Sequence, residues 1–275
     1  MDITTGFEPV SGGSIPSGST IRFNPMPSDK INYSKIYKDA AKKGGWAKSI
    51  RGKDADAKWG DVYINLRKRL KGSEEVLDIG TAEGKRFLRI ADVIGKGVGI
   101  DIEPTMIRLA KRNGKPFKNI SFKVMSAAKL AFPARKFDIV ICRHAPLNFR
   151  ELFRVTKPGG IVVTQQVHET DKLNLKTAFG RGQGYKVDGK KMLIEKYAAQ
   201  AQKAGFRIVK RNVSNITYYF PNKARLIRFL EITPTIPDFG SKKDFNILDG
   251  FIARNRTNKG IKTNTARFLL ELKKP

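Results

Sequence analysis

The segment Val76-Leu77-Asp78-Ile79-Gly80-Thr81-Ala82-Glu83-Gly84 constrains this chain more than any other. A short apolar run ends in an acid and a glycine-rich turn. Phe87, Ile90, Ala91 and Ile94 then recur at i, i+3, i+4 and i+7, the spacing of one helix face. A strand, a tight turn and a helix in that order present backbone N–H groups and a helix N-terminus to a ligand. The spacing therefore predicts a binding turn between a strand at 75–79 and a helix over 84–94.

Alternation of the two periodicities continues along the chain. Strands are predicted at 75–79, 97–101, 120–125, 137–142 and 160–165, and helices at 84–94, 104–112 and 147–155. Such a rhythm implies an α/β fold, a mostly parallel sheet with helices on both faces. Before it, residues 1–30 are rich in Gly, Ser, Pro and Thr and read as a flexible arm. A helical segment over 31–71 follows, with a short helix around Ser34–Lys42. The stripe Trp59, Val62, Tyr63, Leu66 and Leu70 marks a second helix over 56–71. The cofactor half runs 72–165 and the substrate half 166–275. That second half reads as an irregular segment over 167–188, a helix at 189–204 and a strand near 206–213. A lid-like insertion at about 214–262 then precedes a last strand at 264–272.

The turn fits D-x-G-x-G-x-G, with Ala82 in the middle glycine slot, better than the G-x-G-x-x-G of dinucleotide folds. In this it resembles the class I S-adenosylmethionine-dependent methyltransferases. Further matches follow in order: Gly97-Val98-Gly99-Ile100-Asp101-Ile102-Glu103-Pro104, Phe137-Asp138-Ile139-Val140-Ile141, and Glu151 to Gly160, which ends in Lys157-Pro158-Gly159-Gly160. The likeness covers roughly residues 56–212 and includes the broad ubiquinone-methyltransferase-like superfamily. It implies a Rossmann-like seven-stranded sheet with S-adenosylmethionine as cofactor. Asp78, Gly80, Ala82 and Gly84 would address its amino-acid part. Asp101, with Ile102 beside it, would address the ribose, and Glu103 is the rival acid. Ser126-Ala127 stands where relatives carry Asp-Ala beside the adenine, and Arg143 joins the cofactor set.

Methyl transfer from a sulfonium is an in-line displacement that needs positioning rather than a protein nucleophile. Cys142 lies inside an apolar run and reads as a core residue. His144, just past the fourth strand, is the candidate base or orienting group, with a structural histidine capping the next helix as the plain alternative. Asn148, Gln165, Gln166, His168, Tyr218 and Tyr219 are the other candidates for the substrate wall. No metal set is expected.

Composition bounds the partners. The formal net charge is +29, divided as +5 over residues 1–75, +10 over 76–164 and +14 over 165–275. An excess of this size suits RNA or another polyanion, whose phosphates dominate affinity. It equally suits a basic chain that is merely kept soluble. One cysteine, no membrane-length apolar run and an N-terminus without a secretory pattern lead to the expectation of a cytoplasmic protein. Three readings stand open: an RNA methyltransferase, a small-molecule (metabolite) methyltransferase, and a non-catalytic nucleic-acid-binding protein on the same fold.

Overall fold

In the computed structural model the described residues are Lys38, Lys53–Asp54, 61–185 and 192–275. The expected arm, the 31–71 segment short of Asp61 and the start of the 189–204 helix fall largely outside them. In chain order the elements are β1 (Lys53–Asp54), α1 (Val62–Arg67), β2 (Glu75–Ile79), a 3-10 helix (Phe87–Val93), β3 (Lys96–Asp101), α2 (Pro104–Gly114), β4 (Ile120–Val124), β5 (Phe137–Arg143), α3 (Phe149–Val155), β6 (Thr156–Val167), α4 (Leu173–Phe179), α5 (Leu193–Lys203), β7 (Arg207–Phe220), α6 (Lys223–Ile232), α7 (Lys242–Asn255), β8 (Arg256–Thr257) and β9 (Gly260–Lys273).

The sheet order is β1-β7-β9-β6-β5-β2-β3-β4, with β8 paired to β9. Pairing is parallel from β4 through β3, β2 and β5 to β6, and β9 enters antiparallel between β6 and β7. Setting aside the two-residue strands β1 and β8, this is the expected seven-stranded, mostly parallel sheet. The chain leaves β2 for β3 and β4 on one side and returns to build β5 and β6 on the other. The order thus reverses between β2 and β5, and open α/β sheets bind ligands in the crevice beyond the strand ends at that point.

Both faces of the sheet are covered, so β2 and β5 read as continuous apolar runs. Successive strand residues point to opposite faces. Leu77, Ile79, Val140, Cys142 and Val162 meet α3 and α5 through Leu152, Val155, Ala198 and Ala201. Val76, Ile139, Ile141 and Val163 meet Phe87 and Ile90 of the 3-10 helix and Val62, Tyr63 and Leu66 of α1. By the same alternation Asp78 shares the face of Val76 and looks towards α1.

Three expectations change. The helix after the turn winds as 3-10 over Phe87–Val93, which stacks buried Phe87 and Ile90 at a three-residue repeat. The segment over 167–188 is not wholly irregular, because it holds α4. That helix starts after Lys172 in the left-handed region with no side-chain cap, so the sequence carries no start signal there. The insertion is shorter than 214–262, because β7 stays in register with β9 as far as Phe220 opposite Ile261. What remains between the two strands is chiefly α6 and α7. They pack Leu226, Phe229, Leu230, Leu248, Phe251 and Ile252 against Leu175 and Phe179 of α4 and Tyr218 and Phe220 of β7. Among the described residues no helix is long and apolar enough to cross a membrane.

Candidate functional site

At the switch point β2 delivers Asp78 with no exposure at all. The Tyr63 phenol donates to Asp78 Oδ1 at 2.9 Å, while Oδ2 is buried without a hydrogen bond of ordinary geometry. Thr81 Oγ1, in the turn that follows, is likewise buried and unbonded. Burial pushes the Asp78 carboxyl up to about 6, against the pull of the nearby Thr81 and Tyr63 hydroxyls. Burial, and then the Asp78 charge, hold the Tyr63 phenol well above its usual value, so it stays a donor.

The turn itself brings backbone to this acid. Gly80 and Gly84 both have positive φ, and a Cβ on Gly80 would lie 2.5 Å from the Ala145 Cβ at the end of β5. Gly80→Ala is expected to cost about 2–4 kcal/mol, from left-handed strain plus that overlap. Thermal unfolding checks it, and an unchanged midpoint would contradict this packing. Ala82, in the middle of the turn, also adopts positive φ (49°). Its strain is borne by a bond that helps the site, since its N–H donates to Asp101 Oδ2 at 2.9 Å.

Asp101 ends β3 and accepts a second backbone bond, from Glu103 N to Oδ1 at 2.9 Å. Burial raises its pKa while these two N–H groups oppose the shift. The carboxylate is thereby fixed in orientation with lone pairs left for a diol. Glu103 is occupied otherwise: its side chain caps α2 through Thr105 N at 3.2 Å. The cap explains the acid there, and Asp101 remains the ribose candidate. Next to Asp101, Ile102 is 64% exposed, an apolar side chain held at the mouth of the crevice. Met125 N donates to Asp101 O at 2.9 Å, which draws the following Ser126-Ala127 alongside. Ser126 is exposed, its Oγ accepts from Ala128 N at 3.2 Å, and half-buried Ala127 packs on the core.

Residues named for the acceptor wall divide. His144 follows β5 at positive φ, its N–H donates to Gln165 O at 2.9 Å, and its Nε2 is buried without a partner. Burial, then the Arg143 charge, depress its pKa well below the usual value, so it is a neutral ring and a weak base. Arg143 Nε donates to Gln165 Oε1 at 2.9 Å, and burial lowers its pKa to about 10. Gln166 Nε2 is bound to Thr164 Oγ1 and Ala145 O. His168 is buried at the end of β6.

Two placements are corrected. Asn148 is the N-cap of α3, accepting from Arg150 N and Glu151 N and donating to Ala128 O, and this cap displaces the alternative of a His144 cap. Tyr218 and Tyr219 are strand residues of β7 opposite Thr263 and Lys262, not part of a lid, and Tyr218 is buried in the apolar cluster under α6. Tyr63, Thr81, Glu169 and Lys176 were not singled out from sequence. Tyr63 hides in a helical stripe whose other members are core.

Known proteins resemble this chain in family and fold. Residues 70–181 match the family described as "Methyltransferase domain". The chain is 35% identical over 115 residues to a demethylmenaquinone methyltransferase of Tropheryma whipplei, covering 39% of this chain and 47% of that one. It is 27% identical over 135 residues to the ubiquinone/menaquinone biosynthesis C-methyltransferase UbiE of Coxiella burnetii, covering 44% and 54%. The chain thus spans about half the length of the curated relatives it matches. For the fold alone, a putative methyltransferase from Bacillus halodurans superposes with a TM-score of 0.58 at 19% identity, covering 78% of this chain and all of that one. With the strand order, these likenesses show a class I S-adenosylmethionine-dependent methyltransferase domain over residues 70–181.

Proposed function

We propose that this protein transfers a methyl group from S-adenosylmethionine to a small-molecule acceptor held beside the ends of β5 and β6. The observation that carries the donor half is the unpartnered Oδ2 of Asp78, a buried carboxylate oxygen facing the glycine turn. An ammonium group satisfies it, and the donor set fits this cofactor. Asp78 would hold the amino group, the Gly80–Gly84 backbone the carboxylate, Asp101 the ribose hydroxyls, and Ile102 with Ser126-Ala127 the adenine. When bound, the cofactor supplies a methyl group on a positively charged sulfur, open to in-line attack.

The chain's own residues bind and orient the partners and keep water out. Covalent catalysis through Cys142 does not fit. Its thiol is buried, donates to Ala145 O at 3.4 Å, and is held far above the usual thiol range by desolvation. Neutral His144 suits a hydrogen-bonding role towards the acceptor better than proton abstraction at neutral pH. A small acceptor is supported by the buried side chains at the end of β6 and by the names of the relatives, which are quinone-pathway methyltransferases.

Incubation with radiolabelled S-adenosylmethionine and total cell extract tests the acceptor. Label is expected in the small-molecule fraction, and label confined to RNA would overturn that half of the reading. For the donor, Asp101→Ala is expected to weaken cofactor binding by about 100-fold, the loss of two charge-assisted hydrogen bonds in a sheltered site. Calorimetric titration measures it, and an unchanged affinity would remove Asp101 from the site.

A further inference from the structure

Beyond β6 lies a second group of buried polar atoms that the donor site does not use. His168 Nδ1 accepts from Thr170 N at 3.2 Å, which leaves Nε2 as the ring's donor. That Nε2 is buried and has no partner. One turn into α4, Lys176 is 2% exposed, and its ammonium donates to Glu169 O at 3.2 Å. Among the described residues it forms no ion pair. The Asp171 charge acts on it from beyond ion-pair distance, since Asp171 is itself bound to Arg267 Nη1 at 2.6 Å, Ala266 N at 2.8 Å and Lys172 Nζ at 3.4 Å. Glu169 Oε1 takes Leu193 N at 3.3 Å, and its Oε2, 3.6 Å from His168 Nδ1, is buried without a hydrogen bond.

The charges do not balance. Lys172, Lys176 and Arg267 face Glu169 and Asp171, which leaves one positive charge in excess in a setting where unpaired charge is costly. The covering is also built. Gly182 approaches so closely that a Cβ there would lie 2.5 Å from Lys176 Cγ, and Gln183 N is bonded to Thr235 O between α6 and α7 at 3.0 Å. The ends of β6 and β5 are joined by His144 N on Gln165 O, so the cluster borders the strand ends that form the crevice.

We propose that His168 Nε2 and Lys176 Nζ form the acceptor subsite and that it takes a small molecule through an anionic oxygen, a carboxylate or an ionised phenol or enol. The assignment rests on the methyl-donor reading of the crevice. It adds the acceptor's charge to that reading: one anion closes the charge balance and satisfies both donors. Burial lowers the Lys176 pKa to about 8, with Asp171 and Glu169 opposing and Arg267 assisting. Lysine loses its proton as pH rises through that value, so anion binding weakens above pH 8.

The test uses the full chain saturated with S-adenosylhomocysteine, whose own binding is measured first. It is then titrated with 2-naphthoate, 2-naphthol and naphthalene-2-carboxamide. Wild type is expected to bind 2-naphthoate at least about tenfold more tightly than the amide at pH 7, and to lose that preference by pH 10. Lys176→Met and His168→Phe are each expected to remove the preference and leave S-adenosylhomocysteine binding unchanged. Proton release on binding 2-naphthol at pH 7, where Lys176 is charged, would identify a phenolate, and preference for naphthoate alone a carboxylate. Equal binding of acid and amide by wild type, or no binding of either anion, overturns the subsite while S-adenosylhomocysteine still binds. Failure of S-adenosylhomocysteine to bind overturns the donor reading instead.

Discussion

Asp78→Asn is expected to make the ligand-free protein more stable and to remove binding of the methyl donor. The carboxyl is fully buried and its pKa is raised to about 6 from an ordinary 3.8. Two units correspond to about 3 kcal/mol by which folding disfavours the ionised form. The sign follows from the protons. The native state holds the Asp78 proton to higher pH than the unfolded chain does. Wild-type stability therefore falls as pH rises from about 4 through about 6, and the penalty is complete at neutral pH. Asparagine carries no charge to desolvate. Its carbonyl still accepts from Tyr63, and its amide can use the unbonded Thr81 Oγ1. The variant should gain about 1–3 kcal/mol at pH 7 and nothing near pH 4, read from thermal unfolding at both. The cofactor's ammonium would meet an amide in place of a buried carboxylate, a change of about 2–5 kcal/mol, or at least about 30-fold in affinity. Retained affinity would place the ammonium elsewhere. A less stable variant at pH 7 would mean the ionised carboxylate is a structural support.

What could be read without the structure follows from how each feature is encoded. Strands β2, β3 and β5 were legible to within a residue at either end, because buried parallel strands are continuous apolar runs bounded by turns. Asp78, Gly80 and Asp101 were legible because their roles depend on main-chain position at strand ends. Tyr63 was not, since its phenol reaches Asp78 from a helix fifteen residues upstream whose other buried side chains are apolar. Asn148 stands among the substrate-wall candidates, although Asn148 followed by Glu151 at the third helical position is a start signal in its own right. Tyr218 and Tyr219 looked like part of an insertion because nothing local marks where β7 stops. Its length is set by pairing with β9, more than forty residues away in the chain. Lys176 was invisible for a related reason. A lysine on a short helix reads as a solvated charge, and only the tertiary cover from the Gly182 turn and the α6–α7 cap buries it.

Lys176→Met separates a functional from a structural account of that burial. The ammonium is shielded, has one backbone carbonyl as hydrogen-bond partner, and carries a pKa of about 8 against 10.5. The shift corresponds to about 3 kcal/mol unfavourable to the charged form, and methionine fills the same space without charge. The unfolded chain keeps the lysine proton to about 10.5 while the native state releases it near 8, so wild-type stability rises with pH between those values. The variant should therefore gain about 1–3 kcal/mol at pH 7, or about 2–4 °C in midpoint per kcal/mol, and the advantage should fade by pH 10. Asp171 keeps Arg267, Lys172 and the Ala266 N–H, which hold its pKa near 2 against the opposing effect of burial, so its pairing survives the change. A residue kept at a cost to the fold is explained by what it binds. Were the variant less stable at pH 7, Lys176 would instead be an internal counter-charge for Glu169 and Asp171, and the excess positive charge behind β6 would have no ligand to answer it.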